Sequence, residues 1–168
     1  MTEAWLSGPV PDVPPLLQPV AHALLNARQQ LAEALEGLRP ADLVQRPGDA
    51  ASIAYHVMHA IGSLDRLFTY ARGEGLSDEQ RGALESEPRV ESRNPDAAAL
   101  MRDFEAAVET AIIQLRETKE ATLLEPRGVG RAKLPSTVIG LLFHGGEHTV
   151  RHTGQVVTTA KIVRAARR

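Results

Sequence analysis

From Leu16 onward the apolar positions Leu17, Val20, Leu24, Leu31, Leu35 and Leu38 recur at threes, fours and sevens. That spacing predicts an amphipathic helix closing near Gly37. A connector from Arg39 to Ala51, broken by Pro40, Pro47 and Gly48, leads to Ser52, whose hydroxyl suits the N-cap of a second helix. Its stripe is Ile53, Val57, Ala60, Ile61, Leu64 and Phe68, and Gly73 and Gly75 stop it after about Arg72. Asn94-Pro95 signals a third start, carried by Leu100, Met101, Phe104, Val108, Ala111, Ile112 and Leu115 to about Thr118. The polar stretch between the second and third helices reads as a loop with a short helix around Asp78 to Leu84. After a Gly-containing loop, Pro126 to Leu134, the pair Pro135-Ser136 opens a last helix that runs past Ala160, with Ser136 read as its cap. Residues 1–15 hold Pro9, Pro11, Pro14 and Pro15, which predicts an extended arm anchored by Trp5 and Leu6. Four long helices without a period-2 strand predict an all-α fold, a four-helix bundle forming one domain over 1–168, with long connectors that cross it.

Composition narrows the chemistry. With 168 residues, 43% apolar and 24% charged, the chain has the material for one sizeable core. A net charge of -2 gives no overall pull towards nucleic acid or anionic lipid, and the basic tail with Arg164, Arg167 and Arg168 reads as a solvated helix end. No apolar run has spanning length and no leader pattern opens the chain, so the cytoplasm is the expected location. There is no cysteine, so a transition-metal site must be built from His and carboxylates.

Five of six histidines fall in two clusters, His56 with His59 on the second helix and His144, His148 and His152 on the last. Residues four apart share a helical face, so two imidazoles can bind one ion while a neighbouring helix supplies a third. Helical phase, marked by Val138, Leu141, Leu142, Val156 and Val163, puts His152 near the buried stripe's centre, His148 nearer its edge and His144 beyond it. The inward pair is therefore His148 with His152, and His144 is a rim residue. His144-Gly-Gly-Glu147-His148 also spells the H-x-x-E-H arrangement of inverted zinc proteases, but that reading uses the less buried pair and needs a larger scaffold. On the second helix, phase brings His56 nearer the core and His59 to its flank; a groove between helices admits either. His22 stands apart as a residue with a satisfied hydrogen bond, and Tyr55 and Met58 read as packing.

Ser52-Ile-Ala-Tyr-His56-Val-Met-His59-Ala-Ile-Gly-Ser, together with His144-x-x-x-His148-x-x-x-His152-Thr-Gly154-Gln155, resembles the DinB/YfiT-like superfamily of metal-dependent enzymes. The most specific part is the H-x-x-x-H-x-G-Q signature, met by His148, His152, Gly154 and Gln155. A helix-two histidine seven residues after the capping Ser is the family's third ligand, which is His59 here. The resemblance implies up-down-down-up connectivity, an exposed three-histidine site for zinc or nickel, with iron or manganese as alternatives, and frequent homodimers. It also implies thiol-dependent transferase or isomerase chemistry with a low-molecular-weight thiol. The chain departs from the family at Asp49-Ala50-Ala51, where Trp is frequent, and at Thr153, where Arg is frequent.

Three neutral imidazoles leave a coordination position for substrate or water, which is the geometry of a catalytic rather than a closed site. The expectation is a metal-dependent transferase, isomerase or hydrolase acting on a small molecule, with Glu147, Gln155 and Arg151 near the ion or substrate. A metal-stabilised or partner-binding helical bundle without catalysis is the alternative.

Overall fold

The Ser52 hydroxyl accepts the backbone N–H of Tyr55 at 3.2 Å, and α3 (Ile53–Ala71) begins there. In the computed structural model, which describes residues 3–167, three other long helices accompany it. These are α1 (Gln18–Leu35), α5 (Ala97–Glu117) and α6 (Val138–Ala165). The connectors hold short helices, α2 (Pro40–Leu43) and α4 (Asp78–Ser86), the latter running into a 3₁₀ segment, Glu87–Arg93.

Two helix starts differ from expectation. Asn94 takes a left-handed φ of 48° and only redirects the chain; Asp96 caps α5, accepting from Ala99 N–H at 2.9 Å. Ser136 does not cap α6, because Thr137 accepts from Gly140 N–H at 3.1 Å. Ser136 instead belongs to an antiparallel hairpin, β1 (Pro126–Val129) against β2 (Leu134–Thr137), with Pro126 opposite Thr137 and Val129 opposite Leu134. No strand is legible there: each has four residues, prolines and a glycine interrupt the alternation, and pairing depends on a turn with Gly130 and Lys133 at positive φ.

α6 packs against both α3 and α1, and α5 against the same two helices from the other side. The core between them is the stripe read from the sequence, with Leu17, Leu24, Leu31, Leu64, Phe104, Val108, Leu115 and Leu142 wholly or almost wholly enclosed. Burying each such side chain contributes about 1.5–3 kcal/mol before chain entropy is subtracted.

The N-terminal arm is held differently from expectation. Trp5 and Leu6 are more than half exposed; Val13 and Leu17 are the buried anchors. The side chain of Gln18 donates to the carbonyls of Val10 and Val13, and His22 Nε2 meets Gly8 O at 3.0 Å. A proline-rich segment forms no ladder of its own, so side chains of α1 satisfy its carbonyls. Arg164 and Arg167 of the basic tail are docked, not solvated. Arg164 donates to Ala34 O at 2.9 Å at the open end of α1, and Arg167 to Asp42 at 2.9 Å. Met1, Thr2 and Arg168 lie outside the described residues. Among those described, no helix is long and apolar enough to cross a membrane.

Candidate metal centre

The turn of α6 between His144 and His148 contains Gly145 and Gly146, and their missing side chains set how closely it approaches its neighbours. A Cβ at Gly145 would lie 2.8 Å from Phe68 Cε2 of α3, and one at Gly146 would lie 3.1 Å from Val20 Cγ1 of α1. The pair thus seats α6 in the groove between α1 and α3, and Thr149 and Thr153 follow as its buried face. His148 and His152 fall on the flank of that face, half-buried and turned towards α3. The sequence phase had put His152 nearer the stripe's centre; the close approach at the glycines rotates the buried arc towards the threonines.

His59 of α3 meets this flank. One nitrogen from each of His59, His148 and His152 can be chosen so that all three lie within 4.8 Å of one another. The ring centroids of His148 and His152 are 4.5 Å apart and those of His59 and His152 4.6 Å. The Nε2 atoms of His59 and His148 are 3.0 Å apart. Nitrogens bound to one ion at about 2.0–2.1 Å sit about 3 Å from each other.

Two neighbours orient these rings. His59 Nδ1 is 2.8 Å from Glu87 Oε2, and an ionised carboxylate only accepts, so Nδ1 carries the proton and Nε2 is bare. His152 Nδ1 is 3.0 Å from Nδ1 of His56, which leaves Nε2 of His152 for an ion. Tyr55 stacks on His59 with centroids 5.6 Å apart and ring planes 7° from parallel.

Burial, followed by repulsion from His59, holds His148 below the ordinary imidazole range. Burial, then His148, His59 and His56, pushes His152 down to about 4. His56 is lowered by burial and by His59. These rings are neutral at neutral pH and offer lone pairs, as metal ligation requires.

The residues fit a divalent ion. The Nε2 atoms of His59 and His148, 3.0 Å apart, must share either a proton or a cation, and His148 Nδ1 is buried with no partner of its own, which leaves Nε2 as the nitrogen of His148 that faces the cluster. An all-imidazole donor set suits zinc and nickel. The profile of the DinB superfamily matches residues 23–156, a span that carries every residue of the cluster. The chain belongs to the DinB superfamily. A search of curated proteins found no match.

In this DinB-superfamily chain the remaining expected site residues lie on the outer side of α6. Glu147 gives its carboxylate to Arg151, at 2.6 Å, and to His144 Nδ1, at 3.3 Å, not to His59, His148 or His152. The Arg151 bond lowers the Glu147 carboxyl below the ordinary carboxylate range, and the pair is largely solvated. His144 is half exposed at the rim, and Gln155 is exposed. The ring neighbours are Glu87 and His56 instead. Only His56 carried a sequence signal, through its cluster; no spacing links residue 87, in a connector, to residue 59.

Proposed function

We propose that this DinB-superfamily protein is a metal-dependent enzyme holding zinc or nickel through His59, His148 and His152. The observation that carries this reading is the convergence of three half-buried imidazoles from α3 and α6, two of them in the neutral form that burial enforces. Bound there, the ion would supply Lewis-acid chemistry, lowering the pKa of a thiol or water at its open position. The chain's own residues contribute orientation. Glu87 keeps the proton of His59 at Nδ1, His56 pairs with Nδ1 of His152, and Tyr55 covers one face of His59. A groove of about 350 Å³ between α3 and α5, lined by Met58, Ile61, Phe68, Ala107 and Glu87 among others, offers a small molecule an apolar wall and adjoins the cluster through Glu87, the partner of His59. We take the reaction to be a thiol-dependent transfer or isomerisation, or a hydrolysis, as the resemblance to thiol-using relatives suggests.

We further take the four long helices to form an up-down-down-up bundle and one domain. Three pairings support that connectivity. His56 meets His152 while His59 meets His148, so α3 and α6 run oppositely. Val20 faces Gly146 and Ala34 meets Arg164, so α1 and α6 run together. A groove joins Leu35, the last residue of α1, and Leu38 beyond it to Ala97 and Met101 at the start of α5, while Arg116 near the end of α5 reaches Pro11 ahead of α1. A homodimer follows from the resemblance, and Phe143 and Val150, exposed seven residues apart on α6, offer it an apolar surface.

The test is metal analysis of purified protein beside alanine variants. His59→Ala, His148→Ala and His152→Ala should each lose the metal while staying folded, and His144→Ala should keep it. Full occupancy in all three ligand variants would remove the proposal; loss in His144→Ala would restore the protease-like arrangement.

A further inference from the structure

Glu87 is 5% exposed, and with Val90 it is one of two buried residues in the segment Glu87–Arg93. Both carboxylate oxygens are engaged: Oε2 accepts from His59 Nδ1 at 2.8 Å, and Oε1 accepts from Arg66 Nη1 at 2.6 Å. Arg66 is itself buried, so the two charges pair in a site from which water is largely excluded. Both oxygens accept from N–H donors, the arrangement that suits an ionised carboxylate.

The helix prepares this arrangement. His59, Gly62 and Arg66 are spaced by three and four, so they line one face of α3, the face on which Glu87 lies. At Gly62 a Cβ would sit in van der Waals overlap with Glu87 Oε1 and 2.6 Å from Arg66 Nη1. The carboxylate therefore passes over α3 where no side chain stands. Gly62 has ordinary helical φ and is not there for backbone freedom. A glycine within a helix costs about 1 kcal/mol relative to alanine, so a close approach is the reason to keep one.

We propose that Glu87, clamped by Arg66 across the bare face of Gly62, is a positioning residue that holds His59 as its Nδ1–H tautomer and aims Nε2 at the cation. The Glu87–Arg66 pair is neutral as a unit, so its influence on His59 is directional, through the hydrogen bond, more than a matter of net charge. This inference rests on the metal reading for its purpose, but the tautomer it assigns is a property of the protein without metal.

The experiment compares wild type, Glu87→Gln and Gly62→Ala. Histidine ¹⁵N NMR of the metal-free protein reports the tautomer, a competition titration with Zn²⁺ reports affinity, and thermal melting reports the fold. The amide of Glu87→Gln has one acceptor oxygen for two donors; in Gly62→Ala the new methyl displaces the clamp while improving helix propensity. Wild type should show His59 protonated at Nδ1. Both variants should show mixed tautomers and bind Zn²⁺ tenfold to a hundredfold more weakly. Gly62→Ala should do so with an unchanged or higher Tm, an outcome a merely structural role for the clamp does not produce. Wild-type His59 protonated at Nε2, or Gly62→Ala with wild-type tautomer and affinity, overturns the inference, even if Glu87→Gln fails to fold. Wild type that binds no Zn²⁺ yet shows the Nδ1–H tautomer overturns the metal reading and the purpose, while the hold of Glu87 on His59 stands.

Discussion

Gly145 and Gly154 lie nine residues apart on α6 with ordinary helical backbone, and they illustrate opposite uses of a missing side chain. A Cβ at Gly145 would press on the ring of Phe68, itself 3% exposed, and on Leu64 at 3.4 Å; a Cβ at Gly154 would meet nothing within 4 Å. Overpacking a filled interior costs about 1–3 kcal/mol, set against the roughly 1 kcal/mol that alanine gains in a helix. Gly145→Ala is therefore expected to lose up to about 2 kcal/mol in urea unfolding, and Gly154→Ala to gain up to about 1 kcal/mol. Equal effects of the two would show that α6 is not seated by close contact at this turn. Gly145 also sets the approach of α6 to α3, so its variant should weaken metal uptake too. The functional residue least legible in the sequence is Glu87, because the contact that defines it joins a connector to a helix 28 positions away.

At the scale of elements, the connector containing α2 depends on one buried carboxylate. Asp42 is fully enclosed and accepts from Arg39 N–H at 2.7 Å, from the Arg39 side chain at 3.1 Å and from Arg167 at 2.9 Å. The Arg39 side-chain bond is the largest influence, and against the opposing effect of burial it brings Asp42 down to about 2 from an ordinary 3.8. The native state binds this proton less readily than the unfolded chain, so the contribution is present above pH 3.8 and is lost as pH falls towards 2. Urea midpoints across that range should show Asp42→Asn less stable than wild type at neutral pH, with the gap closing as acid protonates Asp42. A constant gap would mean that the carboxylate's charge contributes nothing. The four long helices were legible because each carries a 3.6-period stripe and, at Ser52, a recognisable cap. The hairpin and the docked arginines of the tail were not. Four-residue strands have too few positions for a period, and Arg164 and Arg167 reach partners more than a hundred residues away.

For the molecule as a whole, the core and the histidine cluster are separate. Leu24, Leu31, Phe104, Val108 and Leu115 are enclosed by apolar neighbours, whereas His59, His148 and His152 stay half-buried on the flank between α3 and α6. Protein stripped with chelator is therefore expected to keep a cooperative melt, and added Zn²⁺ to raise Tm with concentration, as binding to the native state alone requires. Unfolding on chelation would make the ion structural and favour the non-catalytic alternative. The sequence by itself determined which segments are the long helices, which faces are apolar, and that His148 and His152 share a face, because those properties depend on residues within one or two turns of each other. Helical phase left His56 and His59 open and the family resemblance pointed to His59; the tertiary structure brought His59 into the cluster, and it alone decided that His56 pairs with His152 and that Glu87 with Arg66 stands behind His59. Those choices depend on the distance and rotation between α3 and α6, which are set by side chains absent at Gly145 and Gly146 and by a carboxylate arriving from a separate segment. No local periodicity encodes either.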